Sequence, residues 1–316
     1  MESTQNLKKR LKSVANIGKI TKAMELVAAT KMRKAQEIAL ASRPYAFVAL
    51  DLLANITLLE TEKPELLKKR KIQKTLFVLV ASDKGLAGAF NSSLFRKFEK
   101  AFGGQTSADY FVAVGEKTSA YLSRKGYNVI KKFTNVGDFT TPEQMQPLAD
   151  FLVEGYLKKE WDKVVIFSSH FKSALKQEPL MREVLPIDFE AIKETLKEIV
   201  PTTGRYSDVV TLSAHSTSPY AKDMADRQNL THNYLIEPSP KIVLDNLVKH
   251  LFFMQIYHLI LEANASEHSA RRMAMKTASD NASDLGETLN LQYNKSRQAG
   301  ITNQIIEISA GAEALS

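Results

Sequence analysis

The chain has 316 residues, 44% of them hydrophobic and 25% charged, with no cysteine and a net charge of +8. This composition excludes disulfides and thiolate chemistry and fits a reducing, cytosolic compartment. No run approaches the roughly 20 uncharged apolar residues that a membrane span needs; Leu251–Leu261 is short and broken by Gln255 and His258.

Length sets a prior of about two domains. Residues 1–36 hold nine basic residues (Lys8, Lys9, Arg10, Lys12, Lys19, Lys22, Lys31, Arg33 and Lys34) against two acidic ones, Glu2 and Glu25. Their net charge of +7 is nearly the whole excess. Lys8–Lys12 is followed by no apolar run, so no signal peptide is expected. The strip is either a solvated helix face or a surface for an acidic partner, nucleic acid or protein. Composition leaves these open.

From Ser3 to Arg43 there is no proline and a single glycine, Gly18. Apolar residues fall at Leu7, Leu11, Val14, Ile17, Ile20, Met24 and Val27, a stripe narrow enough for a coiled-coil seam. Pro44 is expected to kink the helix, Tyr45–Leu59 to continue it, and Pro64 with the basic cluster Lys68–Lys71 to form a linker.

The middle changes character. Thr75–Ala81, Asp109–Gly115 and Asp162–Ser168 are β-branched, apolar runs, and Tyr127–Lys132 is a weaker one. Between them Ser92–Phe102, Glu116–Lys125 and Pro142–Lys159 have helical patterns. Buried-type strands alternating with helices predict a parallel α/β sheet. Residues 201–231 are polar and rich in Ser and Thr, and are read as an excursion, a hairpin for instance.

Lys241–Leu285 has neither proline nor glycine, and the helical pattern runs on to the C-terminus. A helix over most of 241–316 would reach about 110 Å. No body of this size buries that length, so the helix is expected to project and to pair antiparallel with the N-terminal one. Ala270, Ala274, Ala278 and Ala282 recur at i+4 with Ser266 before them. They let two backbones approach closely, or simply reflect alanine's helix propensity. The expected interface comprises Leu11, Val14, Ile17, Ile20, Val27, Ala270, Ala274, Ala278 and Ala282, and the expected domains are 1–64, 72–237 and 238–316.

Nothing points to catalysis, a metal or a cofactor in this chain. Ser82–Asn91 is a glycine-bearing loop before a helix, but it lacks both standard phosphate-binding patterns. Asn91 or Ser92 reads there as an N-cap. His258 and Glu262 share a helix face without a second ligand pair, and a polar pair on a coiled-coil surface explains them.

The ends carry longer motifs. Ile20-Thr21-Lys22-Ala23-Met24-Glu25-Leu26-Val27-Ala28-Ala29-Thr30-Lys31-Met32-Arg33-Lys34-Ala35 resembles the N-terminal helix of the gamma subunits of F-type ATP synthases. Ser266–Arg271, Ala274–Lys276, Asp280–Ala282, Tyr293–Ala299, Ile301-Thr302 and Ile306–Ile308 resemble that family's C-terminal signature. Ser82–Asn91 is similar to the family's loop after its first strand, and Ile236-Glu237-Pro238 to its lead-in to the last helix. The resemblance spans the chain apart from about 190–230.

It implies a central rotor shaft: a long antiparallel coiled coil with a Rossmann-like α/β domain at its foot, coupling proton flow to conformational change at beta-subunit sites. The implied partners are the alpha and beta subunits, the epsilon subunit and the c-subunit ring, without nucleic acid. The chain would be membrane-associated only through the complex, on the cytoplasmic face of a bacterial plasma membrane. Met24, Arg297, Gln298, Thr302 and Glu307 fall where the family contacts beta, and Tyr234 and Glu237 fall in its foot near the c ring. Departures are Gln304 at a usually acidic position, Ala87 and Ala89 in the loop, and Ile236 for a common aromatic. Residues 201–231 read as an insertion or a regulatory contact. Two alternatives stand beside this, a basic coiled-coil protein that binds nucleic acid and an α/β nucleotide-binding enzyme.

Overall fold

A computed structural model describes residues 3–41, 49, 52, 56, 64–103, 109–136, 140–188 and 237–315. Helix α1 covers Thr4–Ala41. A short 3-10 turn, Glu65–Leu67, precedes strand β1, Thr75–Val80. Helix α2 (Phe90–Ala101), strand β2 (Asp109–Val114), helix α3 (Glu116–Arg124) and strand β3 (Val129–Phe133) follow. Then come helix α4 (Pro142–Leu157), the strands β4 (Lys163–Phe171) and β5 (Gln177–Leu185), and helix α5, Pro240–Leu315.

The strands form one sheet in the order β3-β2-β1-β4-β5. The first four are parallel, with Phe77 beside Phe111 on one side and Val165 on the other. β5 alone runs antiparallel, against β4. Side chains alternate between the faces, as period two requires. Leu76, Val78, Val112, Val114, Val164 and Ile166 join a core with residues of α4 and α5. Leu79, Phe111, Ala113, Val165 and Phe167 enter a second core with Leu94 and Phe98 of α2 and Tyr121 and Leu122 of α3. That second core is largely aromatic; Phe77 stacks on Phe111 at 5.6 Å and Phe98 meets Phe167 edge-on at 5.2 Å. Burial on both faces is why these strands read as unbroken apolar runs.

Several local expectations shift. β5 was not expected, because Glu178, Pro179, Arg182 and Glu183 interrupt its apolar pattern. An edge strand tolerates both proline and charge. α2 begins at Phe90, so Asn91 lies inside the helix rather than capping it. α4 does start as its sequence suggests, with Pro142 in its first turn and a Thr141–Gln144 capping box. The supposed linker is partly docked: Leu66 is buried, Arg70 donates to the carbonyl of Tyr156, and its guanidinium lies 3.9 Å from that ring's centre.

Two compact units emerge, one of residues 1–29 with 271–316 and one of residues 30–270. Their boundaries cut both long helices, whereas the expected division fell near the helix ends. The reason lies in α5 itself, whose residues 244–269 pack among sheet residues while its remainder does not. Of Tyr45–Leu59 only Ala49, Leu52 and Ile56 are described, all helical. Pro44, residues 201–231, Tyr234 and Ile236 lie outside the described residues.

Candidate functional site

In the unit formed by the chain ends, α1 buries or half-buries Leu7, Leu11, Val14, Gly18, Thr21, Glu25 and Ala28. Their steps alternate four and three, the 3.5-residue period of a coiled-coil seam. On α5 the sheltered positions Arg272, Met275, Ser279, Ala282, Gly286, Leu289, Tyr293 and Ser296 repeat in the same way. A Cβ on Gly18 would stand 3.5 Å from the Cβ of Ala282. Further along, Glu25 lies in the field of Arg272 and Lys276. Rising numbers on α1 meet falling numbers on α5, so the helices are antiparallel.

The seam differs from the stripe expected. Leu11 and Val14 belong to it, but Ile17, Ile20 and Val27 are 50%, 60% and 53% exposed. Successive steps of three fall behind 3.6 residues per turn and carry the stripe around the helix. The alternating count passes instead through Gly18, Thr21, Glu25 and Ala28, residues with no hydrophobic bulk to announce them. Ala274, Ala278 and Ala282 are half-buried, and Ala282 stands across from Gly18. Ala270 is half-buried within the other unit. Ala282→Leu would drive a branched side chain into the place left by Gly18 and is expected to cost about 1–3 kcal/mol. The check is helix melting followed by circular dichroism, and an unchanged midpoint would contradict close packing at this site.

The outer faces of this unit carry the remaining residues singled out above. Met24 is half-buried, beside the exposed Ile20 and Val27. Lys8, Lys9, Arg10, Lys12, Lys19 and Lys22 are all exposed. Extending the register from Gly18 and Ala282 sets Leu7 near Tyr293, so α1 has ended by about Ser296. Past it, Arg297, Gln298, Thr302 and Glu307 are exposed, with Ile301, Ile305 and Ile308 beside them. Thr302 turns its hydroxyl to the carbonyl of Gln298, 3.0 Å away. Ile308 is 73% exposed. This part of the helix displays spaced isoleucines among exposed polar residues.

The sheet-containing unit, taken by itself, is tied together by polar contacts. In the Ser82–Asn91 loop, Asn91 donates to the Ser82 hydroxyl at 2.7 Å and accepts from the Ser82 backbone N–H at 3.1 Å. The Asp83 carboxylate accepts from the N–H groups of Glu116 and Val136, both at 3.1 Å. Side chains that would have to face a phosphate are thus spent on the loop itself. No group of His, Asp and Glu among the described residues could hold a metal ion.

Where α5 crosses β4 and β5, Glu262 is buried with His170 3.2 Å and Arg182 3.4 Å away. Ser266 donates to the Ser169 carbonyl, and Gln177 donates to Ser269, which donates to the Ala174 carbonyl. His258 and Glu262 therefore do not sit on a coiled-coil surface. Both are buried, and Glu262 turns to partners on the sheet about 80–90 residues away in sequence. Glu237 is exposed ahead of α5.

A sequence model of the ATP synthase family matches residues 3–315. The ATP synthase gamma chain of Opitutus terrae is 36% identical across 98% of both chains. That of Moorella thermoacetica is 34% identical across the full length of both. The chain belongs to the ATP synthase gamma-chain family. A rotor chain of the Euglena gracilis mitochondrial ATP synthase shares the fold, with a TM-score of 0.58 and 17% identity over 94% of this chain and 98% of that one. For a gamma chain, the geometry above separates two surfaces: a seam that mixes apolar residues such as Leu7, Leu11, Met275 and Leu289 with small and polar ones, and exposed faces that mix lysine or arginine with isoleucine. No helix among the described residues is long and apolar enough to cross a membrane.

Proposed function

We propose that the chain is the central shaft of a proton-translocating ATP synthase, lodged between a catalytic ring of alpha and beta subunits and a c-subunit ring, with the epsilon subunit at its foot. The observation that carries this is the stretch of α5 from Arg297 to Ala310, exposed at every position but Ala299, in a chain related end to end to gamma chains. The complex would hold the chain peripherally at the cytoplasmic face of a bacterial plasma membrane.

In this reading the bond-making chemistry belongs to the beta subunits. The shaft acts by touching three otherwise equivalent sites unequally. A contact shifts a conformational equilibrium only by the difference in its strength between two states. Arg297, Gln298, Thr302 and Glu307, with Met24 on α1, supply those unequal contacts to beta. The lysines of α1 complement acidic segments of the ring, and Tyr234 and Glu237 serve the foot. Gln304 gives one beta contact a hydrogen bond where a charge is usual.

Co-expression with alpha and beta subunits from the same source tests the proposal. The expected result is a complex that hydrolyses ATP, in which Arg297→Ala with Gln298→Ala lowers turnover about tenfold, the scale of one lost charged hydrogen bond. Failure of the chain to enter the complex or to confer ATPase activity would defeat the reading.

A further inference from the structure

The sheet has two edges, β3 and β5. An edge strand shows a row of backbone N–H and C=O groups that no neighbour satisfies, and such a row is a template for pairing with another chain. β5 meets this with Pro179, which has no N–H to offer, and with the charged Glu178 and Glu183. β3 has no proline, and among the described residues it pairs with β2 alone. Its middle is occupied by Ile130, Lys131 and Lys132, all three exposed.

The register of β3 on β2 shows how these residues are placed. Phe111 pairs with Val129 and Val112 with Lys131, so Ile130 is an extra residue, a bulge of a kind uncommon between parallel strands. Past the bulge, Lys131 lies beside Val112, which joins the core with α4 and α5. Lys132 lies beside Ala113, which joins the aromatic core with α2 and α3. Residues in register on neighbouring strands share a face, so one lysine stands on each face of the edge. Lys131 is folded back, with its Nζ 4.4 Å from the centre of the Phe151 ring and 5.3 Å from that of Phe133. Those rings hold its charge close to the strand.

We infer that Lys131 and Lys132, with the bulge at Ile130, guard the β3 edge: they keep a second copy of this chain from adding its own β3 there. Two like chains meet through a two-fold axis, which brings a patch onto itself. Antiparallel pairing centred on β3 sets one of the lysines directly against its own copy and the other on a diagonal to its copy across the opposite face. Like charges so placed destabilise a ladder. The bulge adds to this by bending the strand away from the straight line that pairing needs. An acidic guest strand would escape the repulsion, whereas a second copy cannot. The guard does not depend on the shaft reading, and its test needs no partner subunit.

The test uses the full-length chain in analytical ultracentrifugation. Lys131→Thr with Lys132→Thr is expected to self-associate about tenfold more tightly than the parent, the scale of two cross-strand pairs. Lys131→Glu with Lys132→Glu is expected to associate no more than the parent when alone. Mixed with the parent, it is expected to form a one-to-one complex that high salt disperses. The chain contains no cysteine, so Ile130→Cys added to the threonine variant gives one attachment point for a short bis-maleimide, which is expected to join the dimer there. Circular dichroism and Trp161 emission show which variants are folded, and the mixture decides alone if the threonine variant is not. A folded threonine variant that associates no more than the parent would overturn the inference. So would a mixture that stays unassociated, or a dimer that the linker cannot join at position 130, because its contact then lies elsewhere.

Discussion

Glu262→Ala is expected to destabilise the sheet-containing unit by about 3–5 kcal/mol, the cost of removing one partner from a buried ionic cluster. The variant would leave His170 and Arg182 facing each other without the carboxylate that now lies 3.2 Å and 3.4 Å from them. Trp161 is the chain's one tryptophan. It is buried in this same unit, with its indole N–H donating to the Leu152 carbonyl, so its fluorescence during urea unfolding reads the relevant transition. A triple replacement of Glu262, His170 and Arg182 by leucine should cost much less than Glu262→Ala, since no orphaned charge remains. A Glu262→Ala midpoint within experimental scatter of the parent would show that the cluster does not stabilise the unit.

Gly115→Ala should be comparably damaging for a different reason. Gly115 joins β2 to α3 with φ at +92°, a conformation that side-chain-bearing residues rarely adopt. A Cβ there would lie 2.1 Å from the Ala81 carbonyl oxygen and 2.9 Å from its carbon. The carbonyl cannot step aside cheaply: Ala81 donates its N–H to Val114, and β1 pairs with β2 up to Val80 and Val114. Strain and overlap together are expected to cost about 3 kcal/mol or more. The same fluorescence measurement checks it, and a loss below about 1 kcal/mol would mean that the turn re-forms around the methyl group.

The strands that the sequence reveals are those buried on both faces. TLFVLV, DYFVAV and the start of β4 have no solvent side to dilute their pattern. β5 is hidden from such reading because its edge position admits Glu178, Pro179 and Arg182. The length of α5 is legible from the absence of breakers before Gly286, and the pairing of the ends from the length. The seam is not. Hydrophobicity marks Ile17, Ile20 and Val27, yet close approach selects Gly18, Thr21, Glu25 and Ala28, and a search for alternating steps of four and three would have found them. The residues beyond Ser296 come to notice only through family resemblance. Exposed Arg297, Gln298 and Thr302 on a polar helix carry no chemical pattern of their own, and the role proposed for them would lie in contacts with another chain.

That uncovered stretch of α5 also bears on how an assembly would have to be built. Isolated helical segments shorter than about 12–15 residues are marginal in water, because nucleation is costly and propagation gains little per residue. The stretch from Arg297 to Leu315 is only modestly longer and carries Gly300 and Gly311, and among 297–310 only Ala299 is sheltered. Its helical state therefore leans on the neighbouring turns of α5 and is finished by whatever encloses it. Part of the energy of enclosure goes into holding that helix, which weakens the contact per unit area while letting the tip thread a narrow passage before it stiffens. In the proposed shaft, the end that would enter the ring is held helical chiefly by its own turns.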